Sequence, residues 1–200
     1  DFKLSSFFRF HQEKARLQSS RSPFGQHTKR YNYSYDQNFI NKSMYTKLFE
    51  IRWSDLDANR HVANAAYQNF MSHTRMGFLI ESGFSQKELV KSNLGPVVFY
   101  EHIYYFKELK PEDQAKVSIE LKGLSEDGMF FQFEHNIYNQ KGENCARCEM
   151  MGAWIDLTSR QLTTLPDHLL QPLDQLTKTE DYKILTKEDT RKFGVKPKHL

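Results

Sequence analysis

Polar and apolar positions change period repeatedly along this chain. Tyr45, Phe49, Ile51 and Trp53 stand among polar or charged neighbours, which predicts a first strand opening just after Met44. A polar turn follows. Ala63, Ala66, Tyr67, Phe70, Thr74, Gly77 and Phe78 then recur at three-and-four spacing, as on one stripe of a helix. Gln68, Ser72 and Arg75 fall away from that stripe. The helix is expected to stop near Ser82-Gly83, where Gly83 suits a left-handed cap. A short second helix over Ser85–Ser92 carries a Ser85/Glu88 capping box.

After Gly95-Pro96 the pattern is that of strands. Val97–Phe106 is almost wholly apolar or aromatic, as expected of a strand buried on both faces. Ala115, Val117, Ile119 and Leu121 alternate with Lys116, Ser118, Glu120 and Lys122, which predicts one wet face. Glu126-Asp127-Gly128 signals a hairpin. Met129, Phe131, Phe133, His135 and Ile137 line one face of the next strand. Gln140-Lys141-Gly142 turns the chain into a last strand through Leu157. A helix this apolar needs a sheet to wrap it. The expected class is therefore α+β, an antiparallel sheet of about five or six strands around a long central helix, over residues 44–158. Residues 159–200 form a polar extension, with a single helical turn near Pro166–Leu170 and loose packing beyond Thr177.

Charge refines this division. The net charge is +3, but residues 1–43 hold 8 Lys/Arg against 3 Asp/Glu, while the remainder holds 20 against 22. The basic balance thus belongs to the N-terminal segment, read as a disordered extension. Its alternatives are an organellar targeting presequence and a basic arm for nucleic acid or anionic lipid. The acidic balance of the remainder argues against nucleic acid as a partner. Two cysteines make no disulfide framework, so a reducing, cytoplasmic setting is expected. No apolar run approaches the roughly 20 residues that span a bilayer. Cys145 and Cys148, at an odd separation in a strand, are expected on opposite faces. With no second pair to complete a zinc site, no metal is expected. His73, His102 and His135 share no ligand spacing. No phosphate-binding Gly-rich loop or Gly-x-Ser-x-Gly elbow occurs.

The chemistry concentrates in the turn. Asp55, Asp57, Asn59 and His61 occupy every second position immediately before the helix. A helix N-terminus offers unpaired N–H groups and a positive dipole end. A base, an amide and an imidazole beside it make a place to stabilise an oxyanion. Read from the residues alone, Asp57 could equally cap the turn, Asn59 could be its left-handed residue, and His61 could be a helix-start contact.

Asp-Leu-Asp-Ala-Asn-Arg-His-Val-Ala-Asn-Ala-Ala-Tyr, over positions 55–67, resembles the signature of hotdog-fold thioesterases, both the 4-hydroxybenzoyl-CoA or acyl-CoA type and the acyl-ACP type. The element order after it extends the resemblance over most of Met44–Leu157. The resemblance implies hydrolysis of an acyl-CoA or acyl-ACP thioester with no cofactor, by a homodimer or higher homo-oligomer. It implies Asp57 as general base or nucleophile, Asn59 and His61 as positioning and proton-carrying partners, and main-chain donors at Ala63 and Asn64, with Tyr67 at the substrate. Glu108 resembles a Glu that joins the catalytic set of plant acyl-ACP thioesterases; by position alone it is a strand-end surface charge. Arg60 stands where many such proteins have Gly, and Ala63 where many have Asn; Arg60 is a candidate contact for a CoA phosphate. A non-catalytic acyl-thioester-binding module on the same fold is the alternative function.

Overall fold

The computed structural model describes residues 44–199. The expectations for residues 1–43 lie outside the described residues. Strand β1 (Tyr45–Glu50) leads through a 3-10 turn (Trp53–Asp55) to helix α1 (Asn64–Glu81) and the short helix α2 (Gln86–Lys91). Strands β2 (Leu94–Tyr105), β3 (Gln114–Leu124), β4 (Phe130–Tyr138) and β5 (Asn144–Asp156) follow. Helix α3 (Asp167–Asp174), strand β6 (Lys178–Ile184) and a 3-10 turn (Lys187–Arg191) complete the chain. The sheet runs β1-β3-β4-β5-β2, antiparallel throughout, and β6 adds to β3 in parallel beyond the end of β1. This is a single hotdog fold, with α1 against one face of the sheet.

Helix α1 buries Ala66, Tyr67, Phe70, Thr74, Gly77 and Phe78 of the predicted stripe, together with Met71 and Leu79, while Ala63 stands just before it as the N-cap. Phe70 stacks on Phe49 of β1 at 4.9 Å between ring centroids. Phe84 stacks on Trp154 of β5 at 5.0 Å. Full burial of each such side chain contributes about 1.5–3 kcal/mol. Gly83, at φ +95°, stops the helix as expected. The capping box of α2 is half made. Ser85 Oγ accepts from the Glu88 amide at 3.2 Å, while the Glu88 carboxylate accepts from Ser92 Oγ and pairs with His168 Nε2 at 2.9 Å. Arg75, off the apolar stripe, is nonetheless mostly buried and reaches Glu101 of β2 at 3.4 Å.

Three further expectations change. Strand β2 is not buried on both faces. It is an edge strand, and Val98, Phe99, Tyr104, Tyr105 and Phe106 are exposed. A continuous apolar run does not say how many neighbours a strand has. Cys145 and Cys148 do not part to opposite sides; both join the core around α1. The ladder skips Cys145 between the pairs Ile137↔Ala146 and Tyr138↔Asn144, and this bulge resets the alternation. Nor is the tail loose beyond Thr177: β6 pairs with β3, and Leu185 joins Phe130, Met151 and Ala153 in a second cluster on the other face of the sheet, while upstream Leu165, Leu169, Leu173 and Leu176 enter the main core.

That second face is also where the wet side of β3 disappears. Lys122 is only 10% exposed and pairs with Asp181 of β6 at 2.5 Å, Glu134 at 3.3 Å and Glu149 at 3.4 Å. Arg147 closes on the same Glu134 carboxylate. His135 lies on the α1 side of β4, fully buried, its Nδ1 2.9 Å from the Ser118 carbonyl oxygen. Burial foremost, with Arg75 nearby, pushes its pKa down to about 3, so the ring is neutral.

Candidate active site

The turn before α1 is built by its own acids. Asp55 is 4% exposed, and its carboxylate takes the Arg52 amide at 2.8 Å and the Arg52 guanidinium at 2.8 and 3.1 Å. Its carbonyl accepts from the Ala63 amide at 2.8 Å. Leu56 and Val62 pair as an antiparallel bridge and close the loop between them. Within it the Asp57 amide donates to the His61 carbonyl at 2.8 Å, and the Arg60 amide to the Asp57 carbonyl at 3.1 Å.

Asp57 Oδ1 accepts the backbone amides of Asn59 at 2.8 Å and His61 at 3.1 Å. Those bonds fix the carboxylate through Oδ1, and Oδ2 takes neither of them. The His61 amide first, then the Asn59 amide, hold this carboxyl below the usual carboxylate range. Asp57 is therefore ionised at neutral pH.

A second loop meets this turn. The Leu109 carbonyl accepts from the Val62 amide at 3.0 Å, and the Leu109 amide donates to the Tyr67 hydroxyl at 3.2 Å. Leu109 is itself fully buried, which pins the loop. Its neighbour Glu108 thereby reaches His61, with Oε2 3.2 Å from Nε2, while Oε1 faces Lys110 Nζ at 3.5 Å. Asp57, His61, Asn64, Tyr67 and Glu108 line one open crevice of about 400 Å³, walled by Tyr105 and Phe106.

The structure thus gathers five of the eight expected site residues. Glu108 is one of them, although its position alone suggested a surface charge. Tyr67 is buried, edge-to-face with Tyr105 at 5.2 Å, and its hydroxyl holds the Leu109 loop. Burial, the largest influence, pushes that hydroxyl up to about 12. Ala63 requires a correction. Its N–H is spent on the Asp55 carbonyl, so it is no oxyanion donor. Asn64 and Ala65, the first residues inside α1, have amides that helix geometry leaves without an intrahelical acceptor. Asn59 also sits differently from expectation: its side chain is exposed on the turn and does not line the crevice, and it acts on Asp57 first through its amide and only weakly through that side chain.

The left-handed residue of the turn is Arg60, at φ +65°, and not Asn59. This gives the departure from Gly a physical meaning. A side chain in that region costs about 1–2 kcal/mol, against a loss of about 0.4–1 kcal/mol for glycine's extra freedom when unfolded. Arg60→Gly is expected to leave the melting temperature unchanged or raise it by a few degrees; a fall of more than about 3 °C would show that the Arg60 side chain holds the turn. That side chain does not enter the Asp57 crevice. It lines an adjoining hollow of about 460 Å³ with Trp53, Leu56 and Pro111, Asp57 forming the shared wall. Trp53, expected at the end of β1, is 90% exposed there.

Residues 51–173 match the thioesterase-like superfamily. The chain belongs to the thioesterase-like superfamily. No functionally curated protein matches it. Solved structures do. A Staphylococcus aureus protein characterised in complex with CoA is 19% identical, over 82% of this chain and 99% of its own, with a TM-score of 0.65. The Escherichia coli probable thioesterase YbaW is 25% identical, over 68% of this chain and all of its own, with a TM-score of 0.58. A 1,4-dihydroxy-2-naphthoyl-CoA thioesterase from Synechocystis is 14% identical, over 66% of this chain and 96% of its own, with a TM-score of 0.59. Membership of this superfamily supports thioester hydrolysis as the class of reaction. No helix among the described residues is long and apolar enough to cross a membrane. Nor is any group of three or more His, Cys, Asp or Glu among them arranged to hold a metal ion.

Proposed function

We propose that this superfamily member is an acyl-CoA thioesterase, hydrolysing an acyl thioester and water to a free acid and a thiol. The observation that carries the reading is the convergence on one crevice of an ionised Asp57, the His61–Glu108 pair and the open end of α1. Asp57 Oδ2 either attacks the carbonyl carbon, expelling the thiolate, or takes a proton from the attacking water. The Asn64 and Ala65 amides bind the oxygen as it becomes negative, aided by the positive end of the helix. His61, oriented by Glu108, carries the proton to the departing sulfur. Asp57 and His61 supply the acid–base chemistry, so no cofactor enters the proposal.

We further propose a homodimer, with a second copy at the free edge of β2. An unpaired strand bearing exposed aromatics pairs readily with another chain. It lies beside the crevice, whose wall includes Tyr105 at the end of β2.

A hydrolysis screen with short, medium, long and aromatic acyl-CoAs, reading free thiol, tests the activity. Turnover of at least one class is expected. Binding of acyl-CoA without thiol release from any of them would instead make this a binding module. The pH profile is a second check. Asp57 must be ionised, and its pKa lies below the ordinary value of about 3.9. Its contribution to kcat/KM is therefore complete above that value and lost only as pH falls through the lowered one. Between pH 5 and 8 no acid limb from a carboxylate is expected.

A further inference from the structure

The far side of the sheet from the crevice carries a second cavity, of about 690 Å³, between the exposed side of β2 and the last residues of the tail. Its floor is apolar, with Val98, Phe99, Phe130 and Leu162. Its outer wall is a strap over residues 193–197, held to β2 through Phe193. That ring lies 4.1 Å from His102 and 5.0 Å from Tyr100, centroid to centroid.

Three cations line the cavity: Lys187, Arg191 and Lys196. Among their neighbours Lys122 is paired with Asp181 and Lys183 with Asp189, while Lys192 lies over the Phe193 ring, 5.5 Å from its centroid. Lys187, Arg191 and Lys196 have no ion-pair partner among the described residues, and no acidic side chain lines the cavity. Three unpaired cations exceed what one carboxylate needs and suit a chain of phosphates. The half-exposed ring of Phe99 offers a flat face, beside Phe193, whose own ring is taken up by His102 and Lys192; this is not the enclosed tunnel from which an alkyl chain gains most by burial. The superfamily match ends at residue 173, so the cations and the strap lie beyond the part of the chain that carries the thioesterase signature.

We propose that this groove binds a nucleoside di- or triphosphate, its base stacked on Phe99 and its phosphates held by Lys187, Arg191 and Lys196. The site is separate from the thioester crevice and does not depend on hydrolysis there. Edge pairing of β2 in a dimer would use main-chain groups and leave the side chains of this groove in place.

Titration of the full chain with ATP, inorganic tripolyphosphate and decanoate, followed calorimetrically, tests this. ATP is expected to bind, and tripolyphosphate about tenfold more weakly for want of a base to stack. Arg191→Ala with Lys196→Ala should weaken ATP at least about tenfold and steepen no other loss. Phe193→Ala should weaken ATP similarly. Phe99→Leu, which removes a stacking ring and leaves the Phe193 strap contact in place, should also weaken ATP about tenfold and so separates lost stacking from a displaced strap. Acyl-CoA hydrolysis should be unchanged in all of these variants. The proposal is overturned if tripolyphosphate binds as tightly as ATP, if decanoate binds and ATP does not, or if the paired alanine variant leaves ATP affinity intact. Loss of hydrolysis together with ATP binding in that variant would also overturn it, by making the groove part of the thioester site. ATP binding remains measurable whether or not any acyl-CoA is turned over, so the two proposals fail separately.

Discussion

Asp57→Asn is expected to lower thioester turnover about a thousandfold, the range observed for loss of a positioned base, with more if Asp57 is the nucleophile. The substitution is gentle on the structure. The asparagine Oδ1 can still accept from the Asn59 and His61 amides, which is what the carboxylate does for the turn. The melting temperature should stay within about 2 °C of wild type and acyl-CoA binding should persist. His61→Gln should cost less, about ten- to a hundredfold, because it removes a proton carrier and leaves Asp57 and the α1 amides in place. Single turnover in ¹⁸O-water separates the two roles of Asp57. Attack by Oδ2 forms an acyl–enzyme anhydride, and water that then attacks the Asp57 carbonyl leaves label in the protein. A general base puts label only in the released acid. Equal turnover by wild type and Asp57→Asn would remove the chemical argument, whatever the fold.

Much of this site was legible because its parts are contiguous. Asp55, Asp57 and His61 lie within seven residues, and a change of apolar period marks the start of α1 beside them. Glu108 could not be read that way. It arrives through Leu109, whose two backbone bonds to Val62 and Tyr67 join loops over forty residues apart in sequence. Ala63 was misread because a helix start does not reveal which of its amides a preceding carbonyl will take. The burial of β2 was misjudged for a topological reason: its hydrophobicity suits a strand with two neighbours, and it has one. The tail is a different kind of miss. Leu165, Leu169, Leu173 and Leu176 do carry helical spacing, but the polar residues between them masked it.

Lys122 joins the tail to the sheet, and its removal should have the largest effect on stability. Met at this position keeps the buried alkyl stem and loses the ammonium. Glu134, only 7% exposed, would retain Arg147, while Asp181 and Glu149 would face one another's charge uncompensated. Breaking a buried pair on one side is costly, so Lys122→Met is expected to destabilise by about 3 kcal/mol, or roughly 10 °C in Tm for a chain of this size. Lys122→Met combined with Glu149→Gln should lose less than the single change, since one of the two carboxylates left facing each other without the ammonium has gone. The pH dependence follows from the same contacts. Burial opposes the Lys122 charge, but the Asp181 bond, with Glu149 and Glu134, outweighs it and raises the pKa. Its stabilising contribution is thus complete below the unfolded value of about 10.4 and disappears as pH rises through the folded one. The Lys122 bond lowers the pKa of Asp181, whose contribution is complete above the unfolded value of about 3.9 and disappears as pH falls through the lowered one. Wild-type stability should therefore show a plateau between these limits, and Lys122→Met should lack the alkaline edge. A melting temperature within about 2 °C of wild type at pH 7 would mean that the leucines alone hold the tail in place.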